Sequence, residues 1–215
     1  MSFQVVIAGT DTDIGKTVFA AGLTAALDGN YWKPIQAGLA GETDAQCVAR
    51  LSGLSRERVL PEVYRLQTPA SPHLAAELDG IAIDVARLIP PVTQRPLVIE
   101  LAGGLAVPIT RQVLQIDIVS RWKLPVILCA STRLGTINHS LLSIQALKQR
   151  AVPIVGIAFV GAENADSEKT ICAFGGVKHL GRIAHLDPLT PDALKTAFSK
   201  SFRVADILGF GEAGP

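Results

Sequence analysis

Three features of the chain predict an α/β fold, with a mostly parallel sheet and helices on both faces. Apolar runs alternate with segments of helical periodicity along its length. A glycine-rich loop joins the first strand to the first helix. Hydrophobic residues make up 48% of the 215 residues and aromatics only 5%, so the apolar content is mainly Ala, Val, Ile and Leu. That mixture suits parallel strands buried on both faces better than an aromatic-cored sandwich.

The strands read in order as Phe3–Ala8, Tyr31–Ile35, Leu97–Ala102, Val126–Ala130 and Ile154–Val160, each a short apolar run bounded by turn residues. Between them, Lys16–Leu27, Asp44–Leu51, Asp117–Trp122, Ile137–Gln149 and Ser167–Phe174 read as helices. In the first, Val18, Ala21, Gly22 and Ala25 recur at helical spacing, and Asp28-Gly29-Asn30 supplies the stop. Ser71-Pro72 offers a capping serine and a proline at the first helical position, opening a helix through Leu78. Strands that alternate with helices imply right-handed βαβ units. With no repeat and no dividing linker, residues 1–215 are expected to form one domain, and the tail after Leu208 to fray.

Charge and cysteine content exclude several functions. A net charge of +1 gives no pull toward nucleic acid or anionic membrane. Cys47, Cys129 and Cys172 are far apart and odd in number, which predicts reduced, packed thiols. The run Phe3–Ala8 is too short for a signal-peptide core, and no stretch reaches the ~18 apolar residues of a membrane span, so a cytoplasmic location is expected. His73, His139, His179 and His185 lack the spacing of a helical zinc site, and His73 and His139 read as polar residues that cap or line loops. No Gly-x-Ser-x-Gly supports a hydrolase triad.

The loop Gly9-Thr10-Asp11-Thr12-Asp13-Ile14-Gly15-Lys16-Thr17 has the strand–loop–helix context of a Walker A motif, which predicts a P-loop NTPase fold. Backbone N–H groups and the positive end of the helix cradle phosphate oxygens. Lys16 reaches the β and γ phosphates, and the Thr17 hydroxyl is a hard ligand for Mg²⁺. Five residues separate Gly9 from Gly15 instead of four, which brings Asp11, Thr12 and Asp13 toward the γ phosphate. Thr12 can donate a hydrogen bond there. Farther on, Glu100 ends an apolar strand that runs into Ala102-Gly103-Gly104. It is either a magnesium ligand or a paired, partly buried carboxylate. Asp44 is either a second metal ligand or simply a good first-turn helix residue. Lys33 is either functional or a solvated strand end.

Taken together, these segments resemble the dethiobiotin synthetase family. The resemblance spans nearly the whole chain and rests on Gly9–Thr17, Lys33-Pro34-Ile35-Gln36, Asp44, Thr68-Pro69-Ala70-Ser71-Pro72-His73, Glu100–Gly104 and Leu134-Gly135-Thr136-Ile137-Asn138-His139. It implies a homodimeric ligase of biotin synthesis that converts 7,8-diaminononanoate, CO₂ and ATP to dethiobiotin, ADP and phosphate. The implied path runs through a carbamate and a carbamic–phosphoric anhydride. Thr17, Asp44 and Glu100 would hold Mg²⁺, and Lys16, Thr12 and Lys33 would act in catalysis. Asp13, Ile14, Gly15, Val18, Ala102, Gly103, Gly104 and Val160 would complete the nucleotide site. Lys33, Ala37, Gly135, Thr136, Ile137 and Asn138 would meet the substrate, the last four from the neighbouring subunit.

The chain departs from the family pattern at several of these positions. Ala37 stands where a hydroxyl is usual, Leu101 where glycine is, and Arg133 where a lysine is expected. Val160-Gly161 replaces an Asn-Asp pair that often reads adenine. A different class, the partitioning and septum-positioning ATPases, shares the fold but carries a second lysine early in the loop. Here Thr10 and Asp11 stand in that place.

Overall fold

The computed structural model describes residues 2–210. Seven parallel strands form the main sheet. Central strand β1 (Gln4–Gly9) lies between β6 (Leu97–Gly104) and β7 (Val126–Ser131). Beyond β6 come β2 (Asn30–Trp32) and β4 (Val59–Leu60), and beyond β7 come β8 (Ile154–Val160) and β9 (His179–Ile183). Alternate residues of the central strands face opposite ways and bury two apolar layers. Val5 and Ile7 pack with α1 (Lys16–Ala26), α2 (Asp44–Ser52), α7 (Pro191–Ser201) and α8 (Val204–Leu208). Val6 and Ala8 pack with α4 (Gln115–Trp122), α5 (Thr136–Gln149) and α6 (Ala165–Gly175).

The apolar run Tyr31–Ile35, expected as one strand, is broken in two. Pro34 carries no N–H for a sheet ladder, so the chain leaves the main sheet after Trp32. It re-forms as β3 (Ile35–Ala37), which pairs with β5 (Tyr64–Leu66) in a separate two-stranded sheet. The Pro34 carbonyl accepts from the N–H groups of Val63 and Tyr64 and ties the break down. A small third core under this sheet includes Ile35, Leu66, Ala75 and Ile109. The other expected strands match to within two residues at either end.

Helix starts needed small corrections with identifiable causes. The helix expected from Asp117 begins at Gln115, because the Asp117 carboxylate reaches back to the Leu114 N–H from inside the first turn. Asn164 caps α6 through the Ser167 N–H, so the helix begins at Ala165, two residues before the expected start. Ser71 precedes α3 (Pro72–Leu78) as expected but makes no cap bond. His73 and His139 lie within α3 and α5, not in loops.

Gly22 lets α7 close on α1. A side chain at that position would collide with the Phe198 ring, and Phe19 meets Phe202 edge-on at a centroid distance of 5.1 Å. All three cysteines are free, with Cys129 buried in β7. Burial pushes the Cys47 thiol up to about 11, and Glu42 adds to that shift. No helix among the described residues is long and apolar enough to cross a membrane. The expected fraying after Leu208 falls, from residue 211 on, outside the described residues.

Candidate nucleotide and acceptor site

The loop Gly9–Thr17 leaves the carboxyl end of β1 and turns into α1 at Gly15. Gly15 has φ +92°, a left-handed conformation, and a Cβ there would stand 2.6 Å from Val160 Cγ1. Both facts demand glycine. Gly9 allows the Lys16 side chain to fold back over the loop, where Nζ donates to the Asp11 carbonyl at 2.7 Å. Lys16 is buried, and the resulting desolvation lowers its pKa, with Glu100 pulling the other way. The loop is pinned to β7 by the Thr10 N–H, which donates to the Cys129 carbonyl. Thr12 faces Gly103, whose φ of +62° and missing side chain leave room for the hydroxyl.

Lys33 is not a solvated strand end. It is 5% exposed, and its Nζ lies 2.6 Å from Asp44 and 3.3 Å from Glu100. The break at Pro34 aims it inward. Burial alone would depress the lysine, but Glu100 and then Asp44 outweigh it and its pKa is raised. Asp44 is held below the usual carboxylate range. Burial opposes that shift, while the Lys33 charge and hydrogen bonds from Lys33, Thr17 and Gln36 overcome it. The capping box of Thr43 and Gln46 fixes the start of α2, and so the position of Asp44.

Glu100 is 1% exposed. Its Oε2 accepts from the Tyr31 hydroxyl at 2.9 Å, which leaves Oε1 to face Thr17 and Lys33. The Thr17 hydroxyl oxygen lies 2.6 Å from Asp44 Oδ1 and 2.8 Å from Glu100 Oε1. Three hard oxygens thus converge with one hydroxyl proton among them, a donor set suited to Mg²⁺. Tyr31 and Gln115 were not singled out from the sequence. Gln115 clamps the end of β6 by bonding the N–H and carbonyl of Ala102 and the carbonyl of Gly104. Tyr31 stands two residues before Lys33 in a strand, and that alternation was the available signal.

Three cavities meet at the loop. One of about 330 Å³ is lined by Thr12, Asp13, Gly15, Lys16, Thr17, Val18, Lys33, Asp44, Glu100 and Gly103. A second, of about 460 Å³, is walled by Ile14, Val18, Val160, His185 and their neighbours. The third, of about 540 Å³, is lined by Thr12, Lys33, Ala37, Ser71, Ala102 and Gly103 among others. Gly104 lines none of these. Gly135, Thr136, Ile137 and Asn138 also stand apart from all three. Thr136 is turned inward, with its hydroxyl on the Ser131 carbonyl and its N–H on the Arg133 carbonyl, so Ile137 and Asn138 keep the open helix-start N–H groups.

A phosphate loop between a central strand and its helix, with a carboxylate partway along the neighbouring strand β6 and not at its end as the sequence suggested, defines a P-loop nucleotide-binding protein. A family model described as an AAA domain matches residues 4–193. The fold is shared with a plasmid partition protein of Borrelia burgdorferi bound to AMPPNP (TM-score 0.57, 10% identity, 97% of each chain). It is shared also with the septum site-determining protein MinD of Pyrococcus horikoshii, complexed with Mg-ADP (TM-score 0.54, 12% identity, 93% of this chain and 94% of that one).

Sequence relatives are far nearer. The ATP-dependent dethiobiotin synthetase of Afipia carboxidovorans is 62% identical over 96% of this chain and 99% of its own length. That of Nitrobacter hamburgensis is 60% identical over 97% and 98%. The chain belongs to the dethiobiotin synthetase family.

Proposed function

We propose that the chain is a ligase that uses MgATP to carboxylate and cyclise 7,8-diaminononanoate to dethiobiotin. The observation that carries the reading is a shared wall. Thr12, Asp13, Lys33, Asp44 and Gly103 line both the phosphate-loop cavity and the 540 Å³ cavity beside it. A terminal phosphate in one and an acceptor in the other face each other across Lys33 and Thr12.

Lys16 and the loop N–H groups bind the β and γ phosphates, and Ile14, Val18 and Val160 hold the base. Thr17, Asp44 and Glu100 would hold Mg²⁺, which supplies charge neutralisation on the transferring phosphoryl group. One substrate amine adds to CO₂ and loses a proton, giving a carbamate. A carbamate oxygen attacks the γ phosphorus and the bond to ADP breaks, leaving a carbamic–phosphoric anhydride. The second amine attacks the carbonyl carbon, phosphate departs with the bonding pair, and the nitrogen loses its proton as the ring closes. Lys33 and Thr12 orient the carbamate and meet the charge that builds on the transferring oxygens.

Gly135–Asn138 line none of these cavities, and we assign their contact with substrate to a second copy of the chain. Leu134, just before them, is fully exposed, as befits a residue covered in a dimer. The open Ile137 and Asn138 N–H groups then receive the substrate carboxylate. The test is incubation with diaminononanoate, labelled bicarbonate and MgATP, with dethiobiotin read by mass spectrometry. Label is expected in the ureido carbon. ATP hydrolysis without labelled product overturns the reading.

A further inference from the structure

Six polar side chains line the 540 Å³ cavity: Thr12, Asp13, Lys33, Gln36, Asp44 and Ser71. Three of them are engaged with their own chain. Lys33 donates to Asp44, while Gln36 accepts from the Asp44 N–H and donates to the Ala37 carbonyl. Thr12 and Asp13 belong to the phosphate loop. Ser71 is the polar group of the lining that remains. Ala37 lines the same cavity and brings no hydroxyl to it.

The Ser71 hydroxyl is held in an unusual direction. A serine before a helix ordinarily turns its oxygen onto the helix's own N–H groups. Ser71 makes no such bond, and its Oγ lies 3.1 Å from Nδ1 of His73. The His73 backbone is itself braced. Its main-chain N–H donates to the Pro108 carbonyl at 3.3 Å. One turn on, Glu77 is gripped by Arg111 through two hydrogen bonds of 2.8 and 2.6 Å. Those bonds hold the Glu77 carboxyl below its usual range.

We propose that His73 is a positioning residue for the diamine substrate. Its Nδ1 accepts the Ser71 proton, which turns the Oγ lone pairs to the cavity and makes Ser71 the acceptor for a substrate amine, in place of the hydroxyl absent at Ala37. An acceptor there suits an amine, whose N–H groups need a partner that the Lys33 ammonium, a donor only, does not offer. The inference rests on the reading that this cavity holds the diamine.

Steady-state kinetics on the full-length enzyme test it. His73→Ala should raise the diamine KM about 5–10-fold, the worth of one hydrogen bond, with the ATP KM unchanged. His73→Asn should restore it, because Oδ1 takes the place of Nδ1. In a Ser71→Ala background His73→Ala should add nothing, and Ala37→Ser should recover part of the loss. An equal loss in the Ser71→Ala background, or a parallel rise in the ATP KM, overturns the proposal. If His73→Ala does not fold, the other two variants decide. A raised diamine KM in Ser71→Ala with His73→Asn near wild type supports it, and an unaffected Ser71→Ala overturns it. Absence of dethiobiotin from the wild-type enzyme would instead sink the reading beneath it.

Discussion

Replacing Lys33 with Gln keeps most of the side-chain length and removes the charge that two carboxylates share. Its ammonium sits 2.6 Å from Asp44 and 3.3 Å from Glu100 in a site where Glu100 is 1% exposed. Breaking a buried pair from one side costs about 3–5 kcal/mol. Asp44 keeps 30% of its side chain in contact with water. That screening favours the lower end, about 3 kcal/mol. For a chain of this size each kcal/mol moves the melting temperature by roughly 2–4 °C, so a fall of roughly 6–12 °C is expected without nucleotide. MgADP brings positive charge to the same carboxylates and should recover more of the melting temperature in the variant than in the wild type. Turnover should fall on the order of 10²–10³-fold, with ATP affinity little changed, because the contact strengthens as charge moves in the transition state. Scanning fluorimetry with and without MgADP, and dethiobiotin formation by mass spectrometry, read the two effects. An unchanged melting temperature with near wild-type product formation would refute the argument.

Other variants separate the remaining parts of the site. Lys16→Ala should abolish measurable triphosphate binding by calorimetry while the circular dichroism spectrum is kept; affinity within twofold or so of wild type would remove the lysine from the phosphate cradle. Val160 offers no polar group to the base, and a hydrogen bond is worth ~1 kcal/mol, so GTP or CTP should support product formation within roughly tenfold of ATP. Much stronger discrimination in a competition assay would mean that another group reads adenine. Sedimentation should give a dimer, and Asn138→Ala should raise the diaminononanoate KM without touching ATP affinity; a fully active monomer counts against the shared site. Because the Asp44 pKa is depressed, its pairing contributes stability above the unfolded carboxylate value, lost as pH falls through the folded one. Urea midpoints should therefore drop more steeply below about pH 4 in wild type than in Asp44→Asn, and equal slopes would contradict this.

Much of this was legible in the sequence because each signal was local. The phosphate loop, the strand that carries Glu100 and the helix opening at Asp44 carry their chemistry in consecutive residues. The segments that escaped are those whose structure is set from a distance. Val59–Leu60 and Tyr64–Leu66 are two and three residues long, too short for any period to show. His179–Ile183 begins with an exposed histidine and holds a glycine pressed against the Ser201 carbonyl, so its apolar pattern is broken. Helix α7 had readable signals, a Thr190 cap and Pro191 at its first position, that went unused. Lys33 was ambiguous because its two carboxylates lie 11 and 67 residues away along the chain. Only the fold brings them to it.

The contact between Gly22 and Phe198 has a consequence for how the protein is made. Helix α1 begins with the two residues that grip phosphate, and its second turn is wedged by a ring from near the end of the chain. During synthesis the complete glycine-rich motif emerges first, yet the helix behind it stays unbraced until α7 has left the ribosome. A chain cut short before Phe198 would carry every residue of the motif and still lack the ring that packs against the helix behind it.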